Sequence, residues 1–446
     1  MTVFGVDAVE AATESTGAEL IVGPKDIVTP LARERARERG VTIVVGKSRP
    51  ADGFPTPPAV PNGPAPAQAH RAPAVDSAFR RPQSNGFQAP PPPLRPPAPA
   101  LYRRGAPLHP TVAPAVLRHP HASSPARPVN TKSVHRVVVV GAGHVGMITA
   151  MKLAEANIIE EVVLVDIADG LAAGIALDLT HSTALLGFDT KVRGVTQVAD
   201  AGVADYVVIT AGRARQPGMS RTDLVEVNAG IVGGLAREAA AVSPGTVLLI
   251  VTNPLDEMTH HAWQASGLPA ERVIGMAGVL DSSRFQALTG LAARSAPSDV
   301  SALALGSHGD EMVIPLSQAR VAGKAIDQAL PQGEVTALVD RARNSGAEVV
   351  GLLKSGSAFF APGASAARMV LAMATDSGEV IAATVHARGE YGIREGYVGL
   401  PAKLGRGGLR EIVELPLAED ELAAVRTAAT RISERVADLQ QVTAAS

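Results

Sequence analysis

The hydrophobic pattern of the chain changes character at Val134. From there on, apolar runs of strand length alternate with stretches of helical character. Arg136-Val137-Val138-Val139-Val140, Val162-Val163-Leu164-Val165-Asp166, Asp205 to Thr210 and Val247 to Thr252 are the clearest runs, and Met147 to Glu155 reads as a helix between the first two. These runs are continuously apolar instead of alternating with polar residues. Strands covered by helices on both faces have that character, so the pattern predicts an α/β protein built on a doubly wound parallel sheet.

Upstream of Val134 the pattern is different. Residues 1–49 hold one readable unit. Leu20-Ile21-Val22 is a short strand, Thr29 before Pro30 is an N-cap followed by a favoured first helical residue, Leu31 to Arg39 is a charged helix, Gly40 suits the position after its end, and Val41 to Val45 is a second strand. Such a strand–helix–strand module buries little by itself. Residues 50–130 are dominated by Pro, Ala and Arg and lack a core-forming pattern, which predicts a disordered, semi-stiff tether. Fully extended at ~3.1 Å per residue, it would reach on the order of 200 Å. Its eight arginines face only Asp52 and Asp76. Two islands, Ala78-Phe79-Arg80-Arg81-Pro82 and Leu101-Tyr102-Arg103-Arg104-Gly105, set an aromatic beside paired arginines, a combination suited to an acidic protein surface.

Composition narrows the function classes. The formal net charge of −2 argues against a generic nucleic-acid or membrane-surface protein. With no cysteines, disulfides and cysteine-ligated metals are excluded. Met1 to Glu14 has no basic n-region, and no apolar run approaches the ~20 residues needed to span a bilayer. A soluble, cytoplasmic protein is expected.

The first strand of the α/β region runs directly into Gly141-Ala142-Gly143-His144-Val145-Gly146 and then a helix. Gly141, Gly143 and Gly146 permit a tight turn, close approach of backbone to a pyrophosphate, and close helix–strand packing, as in a Rossmann dinucleotide site. The helix N-terminus supplies N–H groups for the anion. Asp166 ends the second strand, where its carboxylate suits the two ribose hydroxyls and would repel a 2′-phosphate. NAD is therefore favoured over NADP.

Two further stretches carry the chemistry. Val279-Leu280-Asp281-Ser282-Ser283-Arg284-Phe285 and Gly306-Ser307-His308-Gly309-Asp310 together offer a carboxylate, a guanidinium and an imidazole. Hydride removal from a 2-hydroxy acid needs that set: His308 takes the hydroxyl proton, Asp281 holds the imidazole, and Arg284 clamps a carboxylate. Arg213 to Arg221 is a loop rich in arginine, with Pro217-Gly218 near its middle, suited to closing as a lid over an anion. His181, His260 and His261 lack partners in sequence, His144 is assigned no chemistry, and Arg406 falls in a turn.

Residues from about 134 to 440 resemble the malate/lactate dehydrogenase family, specifically its malate dehydrogenase branch. The matching words are Gly141-Ala142-Gly143-His144-Val145-Gly146, Arg215-Gln216-Pro217-Gly218-Met219-Ser220-Arg221, Val251-Thr252-Asn253-Pro254-Leu255-Asp256, Gly278 to Phe285, and Gly306 to Val313. The resemblance implies that Arg284 holds the C1 carboxylate, Arg221 polarises the C2 oxygen, Arg215 pairs with the C4 carboxylate, and Asn253 positions substrate. It implies that His308 is the general base in malate oxidation, with Asp281 fixing its tautomer. Asn228, Val251, Thr252 and Asn253 lie near the cofactor on the same ground. Hydride passes directly to nicotinamide, so no metal is called for. Lactate dehydrogenases usually carry Gln where Arg215 stands. A guanidinium shut under a lid without a counter-charge is costly, and a dicarboxylate supplies that charge, so malate is favoured over lactate.

The resemblance implies a Rossmann domain over 131–277, an α+β substrate domain over 278–446, and a homo-oligomer. Within the N-terminal region, Asp26 to Val41 resembles appendages on some enzymes of bacterial microcompartments. A scaffold or shell partner for residues 1–130, and a microcompartment lumen as location, would follow.

Overall fold

The computed structural model describes residues 132–213, 221–309, 311–354 and 356–445, with short stretches of the N-terminal region (3, 4, 9, 12, 19–22, 27, 28, 36, 37 and 39–45). Thr29, Pro30, the Pro/Arg-rich tether and its two aromatic–arginine islands lie outside the described residues, as do residues 214–220 and Asp310.

In the N-terminal unit, β1 (Val3–Phe4) pairs in parallel with β3 (Ile27–Val28), and β2 (Glu19–Val22) in parallel with β4 (Thr42–Val45). Val9, Ala12, Leu20, Val22, Val28, Ala36 and Val41 form its small core. The expected strands around Leu20 and Thr42 are present, and Gly40 adopts a positive φ of 69° between helix and strand. β1 and β3 have two residues each, too few for any periodicity to announce them.

The second unit is organised by one large sheet. β5 (Val134–Val140), β6 (Ile159–Val165), β7 (Lys191–Val195), β8 (Tyr206–Ile209), β9 (Val247–Ile250) and β10 (Val273–Gly275) lie side by side in the order β7-β6-β5-β8-β9-β10, all parallel. That is the doubly wound order, with the reversal at β5, where a ligand crevice opens beyond the strand ends. Val137 and Val139 belong to one hydrophobic core and Val138 and Val140 to another, which explains an unbroken apolar run. β7 escaped the sequence reading because it is a half-buried edge strand reading Lys-Val-Arg-Gly-Val. Its Gly194 is required by packing, since a Cβ there would stand 2.1 Å from the Ala172 carbonyl carbon.

The helices of this part are α1 (His144–Glu155), α2 (Leu171–Leu186), α3 (Val198–Ala201), α4 (Arg221–Val242) and α5 (Leu255–Ser266). Then follow α6 (Gly278–Ala292), α7 (Ile326–Ala329), α8 (Gln332–Leu353), α9 (Phe360–Thr375) and α10 (Glu419–Ala445). Most of the C-terminal strands continue the same sheet. β11 (Val300–Ser301), β14 (Arg320–Val321) and β15 (Lys324–Ala325) form a separate small sheet. β12 (Leu305–Gly306), β13 (Met312–Val313), β16 (Val380–Ala387), β17 (Gly396–Gly405) and β18 (Gly408–Ile412) are antiparallel and join the large one, with Gly275 of β10 opposite Thr384 of β16. This junction brings β12 and the loop after it to the carboxyl ends of the parallel strands.

Candidate active site

The glycine loop joins β5 to α1. Gly141 has φ of 102°, and a Cβ there would meet Thr210 Oγ1 at 2.6 Å. At Gly146 a Cβ would come within 1.8 Å of the Gly141 carbonyl oxygen, so only glycine lets α1 approach the turn. Gly143 differs: nothing lies within 4 Å of where its Cβ would be. The protein's own packing does not require glycine there, and the open space beside the uncapped start of α1 fits a pyrophosphate. Asp166 follows β6 with its carboxylate fixed in place: Oδ2 accepts the Ala142 N–H at 2.8 Å and Oδ1 the Ala168 N–H at 2.9 Å. Each oxygen keeps a lone pair for a ribose hydroxyl. Beside it, Ile167 is 95% exposed, an apolar face at the strand end that the sequence reading passed over.

Asn228, Thr252 and Asn253 gather where β8 and β9 end. Buried Asn228 accepts the Arg213 N–H at 2.7 Å and donates to the Asn253 carbonyl at 2.7 Å, so its amide ties two loops together. Thr252 Oγ1 donates to the Ala211 carbonyl at 2.7 Å. Val251 is buried. Asn253 is exposed and lines a cavity of about 330 Å³ with Leu224, Val225, His308, Glu311 and Arg435.

The structure brings Asp281, Arg284 and His308 together. Asp281 and Arg284 are three apart on α6 and therefore share a face. Arg284 Nη1 donates to Asp281 Oδ1 at 3.0 Å, and His308 Nδ1 lies 2.8 Å from Asp281 Oδ2. Asp281 is buried, while His308 keeps 20% of its side chain exposed. A hydrogen bond at Nδ1 leaves Nε2 as the atom for exchange with a substrate. Burial opposes charge on His308, but the Asp281 carboxylate, its hydrogen bond, and Asp256 outweigh that and raise its pKa.

Asp256 is a site residue that sequence reasoning did not single out, although it closes the Asn253-Pro254-Leu255-Asp256 word. It is 1% exposed. Its Oδ2 accepts the His308 backbone N–H and the Ser307 hydroxyl, each at 2.9 Å, and its Oδ1 accepts the Thr384 hydroxyl at 2.8 Å. Arg435, from α10, donates to Ser307 Oγ at 3.0 Å and pairs with Glu257 and Glu311. These partners come from distant parts of the chain, so spacing offered no signal for them. Arg215 and the Pro217-Gly218 segment lie outside the described residues, and so does the side chain of Arg221, the first residue of α4. Among the described residues, no group of three or more His, Asp or Glu is placed to hold a metal ion. No described helix is long and apolar enough to cross a membrane.

Known proteins carry the same organisation. Residues 135–275 match the lactate/malate dehydrogenase NAD binding domain, and residues 278–442 match the lactate/malate dehydrogenase alpha/beta C-terminal domain. A malate dehydrogenase of Pelodictyon phaeoclathratiforme is 44% identical over 304 residues, covering 68% of this chain and 98% of that protein. The solved malate dehydrogenase of Salinibacter ruber superposes with a TM-score of 0.66 at 38% identity, over 69% of this chain and 98% of that one. A lactate dehydrogenase of Cryptosporidium parvum, solved with lactic acid and nicotinamide adenine dinucleotide, gives a TM-score of 0.66 at 34% identity, over 69% of this chain and 98% of that one. With both domains matched in order, the chain belongs to the lactate/malate dehydrogenase family.

Proposed function

We propose that this protein is an NAD-dependent malate dehydrogenase, interconverting malate and oxaloacetate. The observation that carries the reading is the contact of His308 Nδ1 with Asp281, which turns Nε2 towards substrate. In malate oxidation Nε2 accepts the C2 hydroxyl proton, and in oxaloacetate reduction it returns it. Asp281 holds the Nδ1–H tautomer and offsets the imidazolium charge. Arg284 clamps the C1 carboxylate, and Asn253 orients the substrate beside the imidazole. Arg221 stabilises the C2 oxygen as charge develops, and Arg215 receives the C4 carboxylate. When bound, NAD supplies the hydride acceptor at C4 of its nicotinamide. Gly141, Gly143 and Gly146 admit its pyrophosphate, Asp166 takes its adenosine ribose with Ile167 against the base, and Asn228 and residues 251–253 shape the floor near the nicotinamide.

Arg215 sets the preference for a diacid. Purified protein with NADH should turn over oxaloacetate far faster than pyruvate; a preference for pyruvate would make it a lactate dehydrogenase instead. In this reading residues 131–277 carry the cofactor and 278–446 the substrate.

The same reading includes a homo-oligomer. Helix α2 buries only Ala172 and Ala176, while Leu171, Leu177, Leu185 and Leu186 stay exposed, at 82% for Leu185. A second copy would cover such a face. Light scattering should give a multiple of the 45.7 kDa chain, and a monomer would contradict it. Residues 1–49 and the tether over 50–130 recruit the enzyme to a scaffold, such as a microcompartment shell within the cytoplasm. Residues 1–130 fused to a fluorescent reporter should form foci in cells that make shells and stay diffuse in cells that do not; diffuse signal in both would leave the segment a spacer.

A further inference from the structure

Asp256 sits at the second position of α5 with a carboxylate shut away from water. Such a group is costly unless its charge is met. Its three hydrogen-bond donors are neutral, and among the described residues it has no ion pair with Arg or Lys. The helix N-terminus favours a negative charge but does not neutralise it. The surrounding charges are otherwise engaged. On α6, Arg284 is paired with Asp281; from α10, Arg435 pairs with Glu257 and Glu311 and reaches Asp256 only through the Ser307 hydroxyl. Among the described residues, the group left to become cationic against Asp256 is the imidazole of His308, whose backbone N–H already donates to it.

We propose that Asp256 is a positioning residue for proton transfer. Its carboxylate pins the backbone of His308 through the N–H and supplies, with Asp281, the negative field that holds the imidazolium formed during proton transfer. This rests on the malate dehydrogenase reading for its catalytic consequence. No proton passes to Asp256. The proton leaving the C2 hydroxyl stays on His308 Nε2, and Asp256 changes only the affinity of that atom. A purely structural brace would be served as well by asparagine, whose oxygen accepts from Ser307 and His308 and whose amide donates to Thr384 Oγ1. The difference between acid and amide is the charge. Burial and the neighbouring Glu257 raise the Asp256 pKa and so work against its charge, while the His308 N–H, the Thr384 hydroxyl and the His308 imidazole pull it down; in return Asp256 is among the groups that raise His308.

The test compares full-length wild type with Asp256→Asn and Asp256→Ser, two neutral replacements of different shape, and with Ser307→Ala, which removes one donor but keeps the charge. Two readouts are used. One is the pH dependence of kcat/KM in both directions. The other is the titration of His308 by NMR in cofactor-free protein, assigned with His308→Gln. Both neutral variants should lower the apparent pKa of His308 by about half a unit or more. The acidic limb of malate oxidation and the basic limb of oxaloacetate reduction should both move to lower pH. On the basic limb, reduction should fall about threefold or more relative to wild type. Ser307→Ala should leave the limbs in place whatever it does to the rate. An unmoved His308 titration and unmoved limbs in folded Asp256→Asn or Asp256→Ser would overturn the proposal. Loss of the malate dehydrogenase reading would look different: wild type itself would fail on oxaloacetate, while the NMR titration would still report on Asp256.

Discussion

Asp281 serves two partners with one carboxylate. His308 Nδ1 lies 2.8 Å from Oδ2, and Arg284 Nη1 lies 3.0 Å from Oδ1. The proton-transfer group and the carboxylate clamp are thus held by the same buried acid, and the geometry of each depends on it. Replacing Asp281 by Asn should lower kcat by about 10²–10⁴-fold, because the imidazole loses both its tautomer lock and the counter-charge of its protonated form. NAD binding, measured by NADH fluorescence, should be nearly unchanged. Loss of both activity and cofactor binding would indicate a fold defect instead.

Arg284 should separate binding from chemistry. Arg284→Lys keeps the charge but loses the fork, so KM for oxaloacetate should rise by about 10–100-fold, corresponding to ~1.4–3 kcal/mol. Steady-state kinetics check this, and an unchanged KM would place the substrate carboxylate elsewhere.

The glycine loop allows a contrast inside one motif. Gly143→Ala meets open space and sits at a φ of −68°, which alanine adopts freely, so the melting temperature should be unchanged. The added methyl should nevertheless weaken NAD by about tenfold by occupying room needed for the pyrophosphate. Gly146→Ala, with its 1.8 Å clash, should destabilise the fold as well. Calorimetry together with NADH titration distinguishes the two, and equal effects on stability would contradict the assignment of open space to the cofactor.

Acid stability should depend on a cluster of buried histidines that takes no part in the proposed chemistry. His260 is pushed down to about 4 by burial first, then by His386 and His261. Burial also lowers His386, whose ring packs against Trp263 and Tyr397. A histidine held neutral in the native state contributes stability fully present above its unfolded pKa of ~6.5, and that contribution is lost as pH falls towards 4. After allowance for partial exposure, His260 should cost about 1–2 kcal/mol between pH 7 and pH 5. Urea melts should show this loss, and His260→Gln should flatten it; an equally steep loss in that variant would assign the acid lability elsewhere.

Much of this was legible in the sequence. Continuous apolar runs ending in Gly141 and Asp166 announced the parallel sheet and its cofactor end, because strands buried on both faces have no polar positions to confuse the pattern. Asp281, Arg284 and His308 were readable because two are neighbours on one helix and all three fall in short motifs whose combination matches one chemistry. Asp256, Thr384 and Arg435 were not readable as a unit. Their partnership is made by β16 docking against β10 and by α10 folding back on the loop after β12, contacts separated by more than a hundred residues. β7 was missed for a different reason, since an edge strand bearing Lys191, Arg193 and Gly194 carries little hydrophobic signal.

The substrate assignment depends on one guanidinium, and one measurement addresses it. The kcat/KM values of the full chain for oxaloacetate and pyruvate with NADH should be determined in wild type and in Arg215→Gln. The account predicts a preference for oxaloacetate of about 10³-fold or more in wild type, collapsing by at least about 10²-fold in the variant. Wild type that handles pyruvate as well as oxaloacetate, or a variant whose preference is unchanged, would contradict it.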